Sequence, residues 1–297
     1  MLILEPIVHE TVWGGKKLSP YTSGTCKKIG HLYAAIDTKS MTNTIIAGSY
    51  SGKTLHEWFA DHRSVYGLDR FKEVPILMAL VEAADNLSIQ VHPDDEKARL
   101  IEGKPFGKNE SFFLLESPTS GRMYNGCKAN NVEQMRRLIE EGRVMEGVDE
   151  INVKVGDYVY VTGGTLHAAT AGSLSFEIEE NCDATYRFYD FDRIDKNGKK
   201  RPLQVEKALM SLHPEKQSIV KHYEPNSVIR ERMYWTSYKP AAEVIENNTD
   251  MFIFATLLRG TAFVMNHRVL PGTAILIEKG DRFDANGADF MLASIIL

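Results

Sequence analysis

The stretch Leu87-Ser88-Ile89-Gln90-Val91-His92-Pro93-Asp94-Asp95 sets two potential metal donors, Gln90 and His92, at alternate positions. On an extended strand alternate residues share a face, so Gln90 and His92 point one way while Ile89 and Val91 point the other. Glu110 enters a second apolar run at 111–115, and His167 follows the turn Gly163-Gly164. Two imidazoles and one carboxylate suit a catalytic divalent ion, because three protein ligands leave room for water or substrate. Gln90 could add a weaker fourth oxygen. No thiolate belongs to the set, so zinc is preferred, although iron, cobalt or manganese would accept the same donors. A lone histidine after a turn, or a His-Pro pair, is ordinarily structural; the combination with strand periodicity is what points to a metal.

Short strands must position these residues. Apolar runs at 87–92, 111–115, 157–161, 174–178, 252–257 and 273–277 are separated by Gly, Asn, Asp and Pro, the pattern of a sandwich or barrel. Helical spacing is confined to 52–63, 94–101 and 131–141, and the last two stop at Gly103 and Gly142. The acidic residues Asp94, Asp95 and Glu96 read as the first turn of the second helix. Tyr186, Phe188, Tyr189 and Phe191 read as barrel wall.

An internal repeat suggests two units. VGDYVYVTGGTLHAATAG (155–172) lies without gaps on PGTAILIEKGDRFDANGA (271–288), with Gly156 on Gly272 and Gly164 on Gly280. His167 then falls on Phe283. One unit would keep the chemistry and the other would serve packing, with a boundary near 200–220.

The composition narrows the partners. Hydrophobic residues make up 43% and charged residues 25%, with a net charge of -5, which gives no support for a nucleic-acid or anionic-membrane partner. The only dense basic run, Lys196 to Arg201, contains Gly198 and reads as an exposed turn. Three widely spaced cysteines, Cys26, Cys127 and Cys182, argue against a disulfide framework. Four apolar residues precede Glu5 and Pro6, too few for a signal peptide, and no run approaches the roughly 20 needed for a membrane helix. A cytoplasmic enzyme is the expectation.

Four motifs, LSIQVHPDD (87–95), GKNES (107–111), GDYVYVTGGTLHA (156–168) and EIEENCDATYRFYDFDR (177–193), resemble type I phosphomannose isomerase, a cupin family, and occur in the family's order. The likeness is strong from about Pro75 to Pro202, is limited to Trp13-Gly14-Gly15 near the start, and is weak after 215. It implies a mainly β fold of two cupin-type (jelly-roll) β-barrels with a few short helices. Residues 1–212 would be the catalytic barrel with helical insertions, and 213–297 a barrel lacking the metal site. It also implies one zinc per chain on Gln90, His92, Glu110 and His167. The substrate would be a sugar phosphate, interconverted between mannose 6-phosphate and fructose 6-phosphate through an enediol. Lys108, Glu177 and Arg187 match active-site positions, and Ser88 matches a substrate-contacting serine. Glu177 is the candidate base, with Lys108 and Arg187 holding the phosphate or stabilising the enediolate.

The chain departs from the family in two places. Where the family usually has an acidic-tryptophan element GE-x-W-E, this sequence reads Gly30-His31-Leu32-Tyr33-Ala34. Ala79 occupies the place of a lysine in the run 76–83. A different sugar phosphate therefore stays open, as does a non-catalytic sugar-phosphate sensor. A dioxygenase is disfavoured because Glu110 stands 18 residues after His92, with a helix expected between them.

Overall fold

The computed structural model describes residues 1–22, 28–195 and 198–296. Of the residues named above, Cys26 and Lys196 lie outside these segments.

Antiparallel strands dominate, as the apolar runs predict. A seven-stranded sheet has the order Val220–His222, Asp157–Val161, Glu110–Glu116, Leu174–Glu180, Ile76–Glu82, Ile29–Ala35 and Ile7–Gly15. A five-stranded sheet runs Tyr186–Tyr189, Ile89–Val91, His167–Ala168, Arg122–Cys127 and Val148–Asn152. Apolar side chains of both sheets and of helix Val205–Ser211 join in one buried cluster. The other face of the seven-stranded sheet shares a second cluster with the C-terminal half, through Phe113, Phe176, Ile178, Tyr234, Phe254 and Leu276. A sheet covered on both faces needs nearly continuous apolar strands, and all seven residues of Ile76–Glu82 are buried.

The C-terminal half forms another seven-stranded sheet, ordered Ile229–Arg230, Tyr234–Glu246, Arg282–Ile295, Ile253–Arg259, Ala274–Ile277, Leu2–Leu4 and Ile45–Ala47. Pairing crosses residue 212 in both directions: Leu2–Leu4 and Ile45–Ala47 join this sheet, while Val220–His222 pairs with Asp157–Val161. The mainly β architecture with short helices agrees with expectation, but each sheet has two free ends in its order. The units are open sandwiches rather than closed hydrogen-bonded barrels.

The repeat is visible in strand order. Ile76–Glu82, Leu174–Glu180, Glu110–Glu116 and Asp157–Val161 neighbour one another as Tyr234–Glu246, Arg282–Ile295, Ile253–Arg259 and Ala274–Ile277 do. The aligned glycines also share a left-handed backbone, with φ of 84° and 87° at Gly156 and Gly272, and 92° and 85° at Gly164 and Gly280. Phe283, in the place of His167, is buried and meets Phe290 edge-on at 5.6 Å.

The expected helices form with the ends their caps dictate. Thr54 and Glu57 make a capping box for Leu55–His62, Asp94 caps Asp95–Glu102, and Asn131 caps Val132–Glu140. Val205–Ser211, outside the three ranges read from spacing, is a further helix. Trp58 of the first helix is fully buried and meets Phe252 edge-on at 5.0 Å, tying the helix to the C-terminal sheet. Trp58→Ala is therefore expected to destabilise the protein by about 3–5 kcal/mol, read as a lower denaturant midpoint.

Candidate active site

The pairing register assembles the site. His167 and Arg187 both pair with Gln90, so three adjacent strands set these residues in a row. Glu110 begins its strand in the facing sheet, opposite Glu179. The connecting loops are tied to each other rather than free. Lys108 N–H donates to the Pro93 carbonyl at 3.0 Å, and Gly164 N–H donates to the His92 carbonyl at 2.7 Å. Asn109 accepts from Gly163 N–H at 2.8 Å and donates to Glu180, which Arg232 of the C-terminal half also pairs. A Cβ on Gly107 would stand 2.3 Å from the Pro93 carbonyl oxygen, so only glycine lets the GKNES loop approach this closely.

His92, Glu110 and His167 bring one donor atom each to within 4.8 Å of the others, and all three are buried. Nε2 of His92 lies 3.0 Å from one Glu110 oxygen, and Nε2 of His167 lies 2.8 Å from the other. Each ring's Nδ1 meets a backbone carbonyl, His92 with Ala184 at 3.0 Å and His167 with Thr165 at 2.9 Å. Those contacts place the proton on Nδ1 and turn both Nε2 lone pairs to the common centre, the usual outer arrangement of metal-binding histidines. Among the described residues, His92 Nε2 and Glu110 Oε1 have no hydrogen-bonding partner. Buried polar atoms left this way need an explanation, and a divalent ion fits this donor set. The Gln90 amide stands 3.5 Å from His167 Nε2, and its oxygen accepts from Ser88 Oγ at 3.2 Å. Gln90 thus borders the centre without belonging to its tight triad.

A cavity of about 370 Å³ opens beside the triad and is lined by Ser88, Gln90, Lys108, Glu110, Glu177, Glu179 and Arg187 among others. All eight residues singled out from the sequence are therefore in or against one space. The strand Leu174–Glu180 explains how Glu177 gets there. Phe176 and Ile178 enter the core shared with the C-terminal half, which sends Ser175, Glu177 and Glu179 to the opposite face, also buried. Arg187 follows the same logic, since Tyr186 and Phe188 are buried and the guanidinium turns to the cavity, where Nε has no partner among the described residues.

The electrostatics are crowded. Burial raises the Glu177 carboxyl well above the usual carboxylate range, and the charges of Glu179 and Glu110 add to it. Burial opposes the charge on Lys108, but Glu179, Glu110 and Glu177 outweigh it and raise its pKa. Its ammonium pairs with Glu179 and stands 3.3 Å from Glu110. Burial lowers the Arg187 pKa, and the neighbouring Arg201 lowers it further.

Comparison with known proteins places the chain in a family. A model of the phosphomannose isomerase type I catalytic domain matches residues 1–110. The Bacillus subtilis protein named "Probable mannose-6-phosphate isomerase GmuF" is 37% identical over 210 residues, covering 70% of this chain and 67% of that protein. The chain belongs to the type I phosphomannose isomerase family. The mannose-6-phosphate isomerase ManA of Bacillus subtilis is 34% identical over 210 residues, 70% of this chain and 66% of its own length. The matched segments thus span about two thirds of these relatives. The crystal structure of a mannose 6-phosphate isomerase from Bacillus subtilis superposes with a TM-score of 0.79 at 26% identity, covering 100% of this chain and 99% of the other. A variant of phosphomannose isomerase from Salmonella typhimurium shares the fold at a TM-score of 0.74 and 13% identity, covering 100% of both chains.

The motifs missed one wall of the cavity. His9, Thr11, Trp13, His31, Tyr33 and Glu179 line it from the strands Ile7–Gly15, Ile29–Ala35 and Leu174–Glu180. Glu179 shares a strand face with Glu177, whereas His31 and Tyr33 lie in the segment that departs from the family. Both departures meet there, because Ala79 pairs with Tyr33 on one side and Glu177 on the other. No helix of the described residues is long and apolar enough to cross a membrane.

Proposed function

We propose that this phosphomannose isomerase interconverts mannose 6-phosphate and fructose 6-phosphate by proton transfer between C2 and C1, with one zinc ion held by His92, Glu110 and His167 and completed by Gln90. The observation that carries the reading is the buried triad with Nε2 atoms turned inward, beside a cavity lined by Glu177, Lys108 and Arg187. Zinc bound there would supply a Lewis acid for the sugar oxygens.

The protein's own groups do the rest. Glu177 removes the C2 proton as the C1 carbonyl becomes an enediolate, the hydroxyl proton passes from the C2 oxygen to the C1 oxygen, and Glu177 then returns its proton to C1 while the C2 oxygen becomes the carbonyl. Its raised pKa suits a base that must also give the proton back. Lys108, buried beside Glu110, stabilises the enediolate oxygens, and Ser88 contacts the sugar next to Gln90. Arg187, with Arg201 close by, holds the phosphate dianion, which planar guanidinium groups bind in pairs of hydrogen bonds. The segment 1–212 carries this chemistry. The segment 213–297 has Phe283 in place of the metal histidine and acts through packing, as does Arg232 on Glu180. The enzyme works in the cytoplasm on a small sugar phosphate.

A second substrate remains a specific alternative, because His31, Tyr33 and Ala79 give one wall fewer charges than the family pattern. An isomerisation assay across hexose and pentose phosphates, with and without chelator, tests the whole reading. Turnover of mannose 6-phosphate that stops on chelation and returns with zinc is the expected result. Turnover indifferent to chelation removes the metal from the mechanism.

A further inference from the structure

The wall that departs from the family is built as a stack. His31 lies on Tyr33 with ring centroids 5.1 Å apart and planes 2° apart. His9, its cross-strand partner, stacks on His31 at 5.6 Å, and Trp13 meets the same ring edge-on at 5.2 Å. Three rings therefore fix the plane of one imidazole, which leaves it little rotational freedom. The imidazole is nonetheless polar and largely covered, with Nδ1 buried. Its Nδ1 has no partner among the described residues, and its Nε2 stands 3.8 Å from Glu177 Oε2, which also has none.

Glu177 Oε2, buried and without a partner among the described residues, faces His31 Nε2 slightly beyond hydrogen-bond range, and a small side-chain shift that joins them would lower the free energy. Burial, with His9 and Lys108 nearby, pushes the His31 pKa down to about 3. The ring is therefore neutral at working pH. It can orient a carboxylate without adding a cation that would weaken it as a base. The neighbouring strand supplies no alternative at this point, since Ala79 offers only a methyl group between Tyr33 and Glu177.

We propose that His31 is a positioning residue: it hydrogen-bonds Glu177 through Nε2 and sets the angle at which that carboxylate meets the sugar carbon. The proposal rests on Glu177 being the base, and the test separates the two. His31→Phe keeps a stacking ring and removes the hydrogen bond, whereas His31→Gln keeps a donor. In the zinc-loaded enzyme, His31→Phe is expected to lower kcat about 10- to 100-fold with KM within about threefold, the signature of a misplaced reacting group. His31→Gln should recover much of that loss, and zinc content should be unchanged in both. In the double variant with Glu177→Gln, the His31→Phe loss should vanish, because the group it positions is gone.

Normal kcat in His31→Phe beside an inactive Glu177→Gln overturns the proposal alone. A loss that Gln does not rescue, or that adds fully to the Glu177→Gln loss, also overturns it. Normal turnover in Glu177→Gln overturns the base assignment and this proposal with it. Should His31→Phe fail to fold, His31→Met against His31→Gln carries the same comparison.

Discussion

Glu110→Ala is expected to release the metal and to lower turnover roughly a thousandfold, the equivalent of about 4 kcal/mol of transition-state stabilisation. Glu110 is the hub of the site, with one oxygen facing each histidine at 3.0 and 2.8 Å and Lys108 at 3.3 Å. Its removal leaves two Nε2 lone pairs converging without the carboxylate that completes the set. It also leaves the buried Lys108 with one fewer counter-charge. Metal content by elemental analysis and isomerase activity should therefore fall together. Full activity with stoichiometric metal in this variant would show that the ion is held elsewhere.

Glu177→Gln should behave differently, and the contrast is informative. The amide keeps the size and burial of the side chain but cannot accept the C2 proton, so kcat is expected to fall about 10²- to 10⁴-fold. Zinc content should stay at the wild-type level if the ion sits on His92, Glu110 and His167, and should fall if it sits on the second convergent group, Glu110, Glu177 and Glu179. Substrate affinity, read by equilibrium binding, should change little, since Lys108 and Arg187 remain. A variant that turns over normally would move the base elsewhere, with Glu179 the nearest carboxylate on the same strand face. An unsubstituted protein that binds sugar phosphate without turnover, with binding unchanged in Glu177→Gln, would mark a sensor instead of an isomerase.

The long motifs were readable because each is governed by local rules. Period-two alternation places Gln90 and His92 on one side of their strand, and the same rule sends Glu177 away from Phe176 and Ile178. Helical spacing and the stops at Gly103 and Gly142 gave the helices within a few residues, and the structure adds the caps Thr54, Asp94 and Asn131. The long strands Tyr234–Glu246 and Arg282–Ile295 were not read, because Gly and Pro within and around them resemble turn signals until a neighbouring strand pairs with them.

Sequence by itself determined that His92, Glu110 and His167 could donate to one ion, the sidedness of their strands and the repeated strand–turn pattern. Tertiary structure alone decided that both faces of Leu174–Glu180 are covered, so that the polar face of that strand becomes a buried cavity instead of a solvated surface. It also decided that His31, Tyr33 and Ala79 share one wall with Glu177. The reason is physical: alternation fixes which way a side chain points within its strand. What lies in that direction depends on pairings between residues about 100 positions apart, such as Ala79 with Glu177, for which local sequence carries no signal.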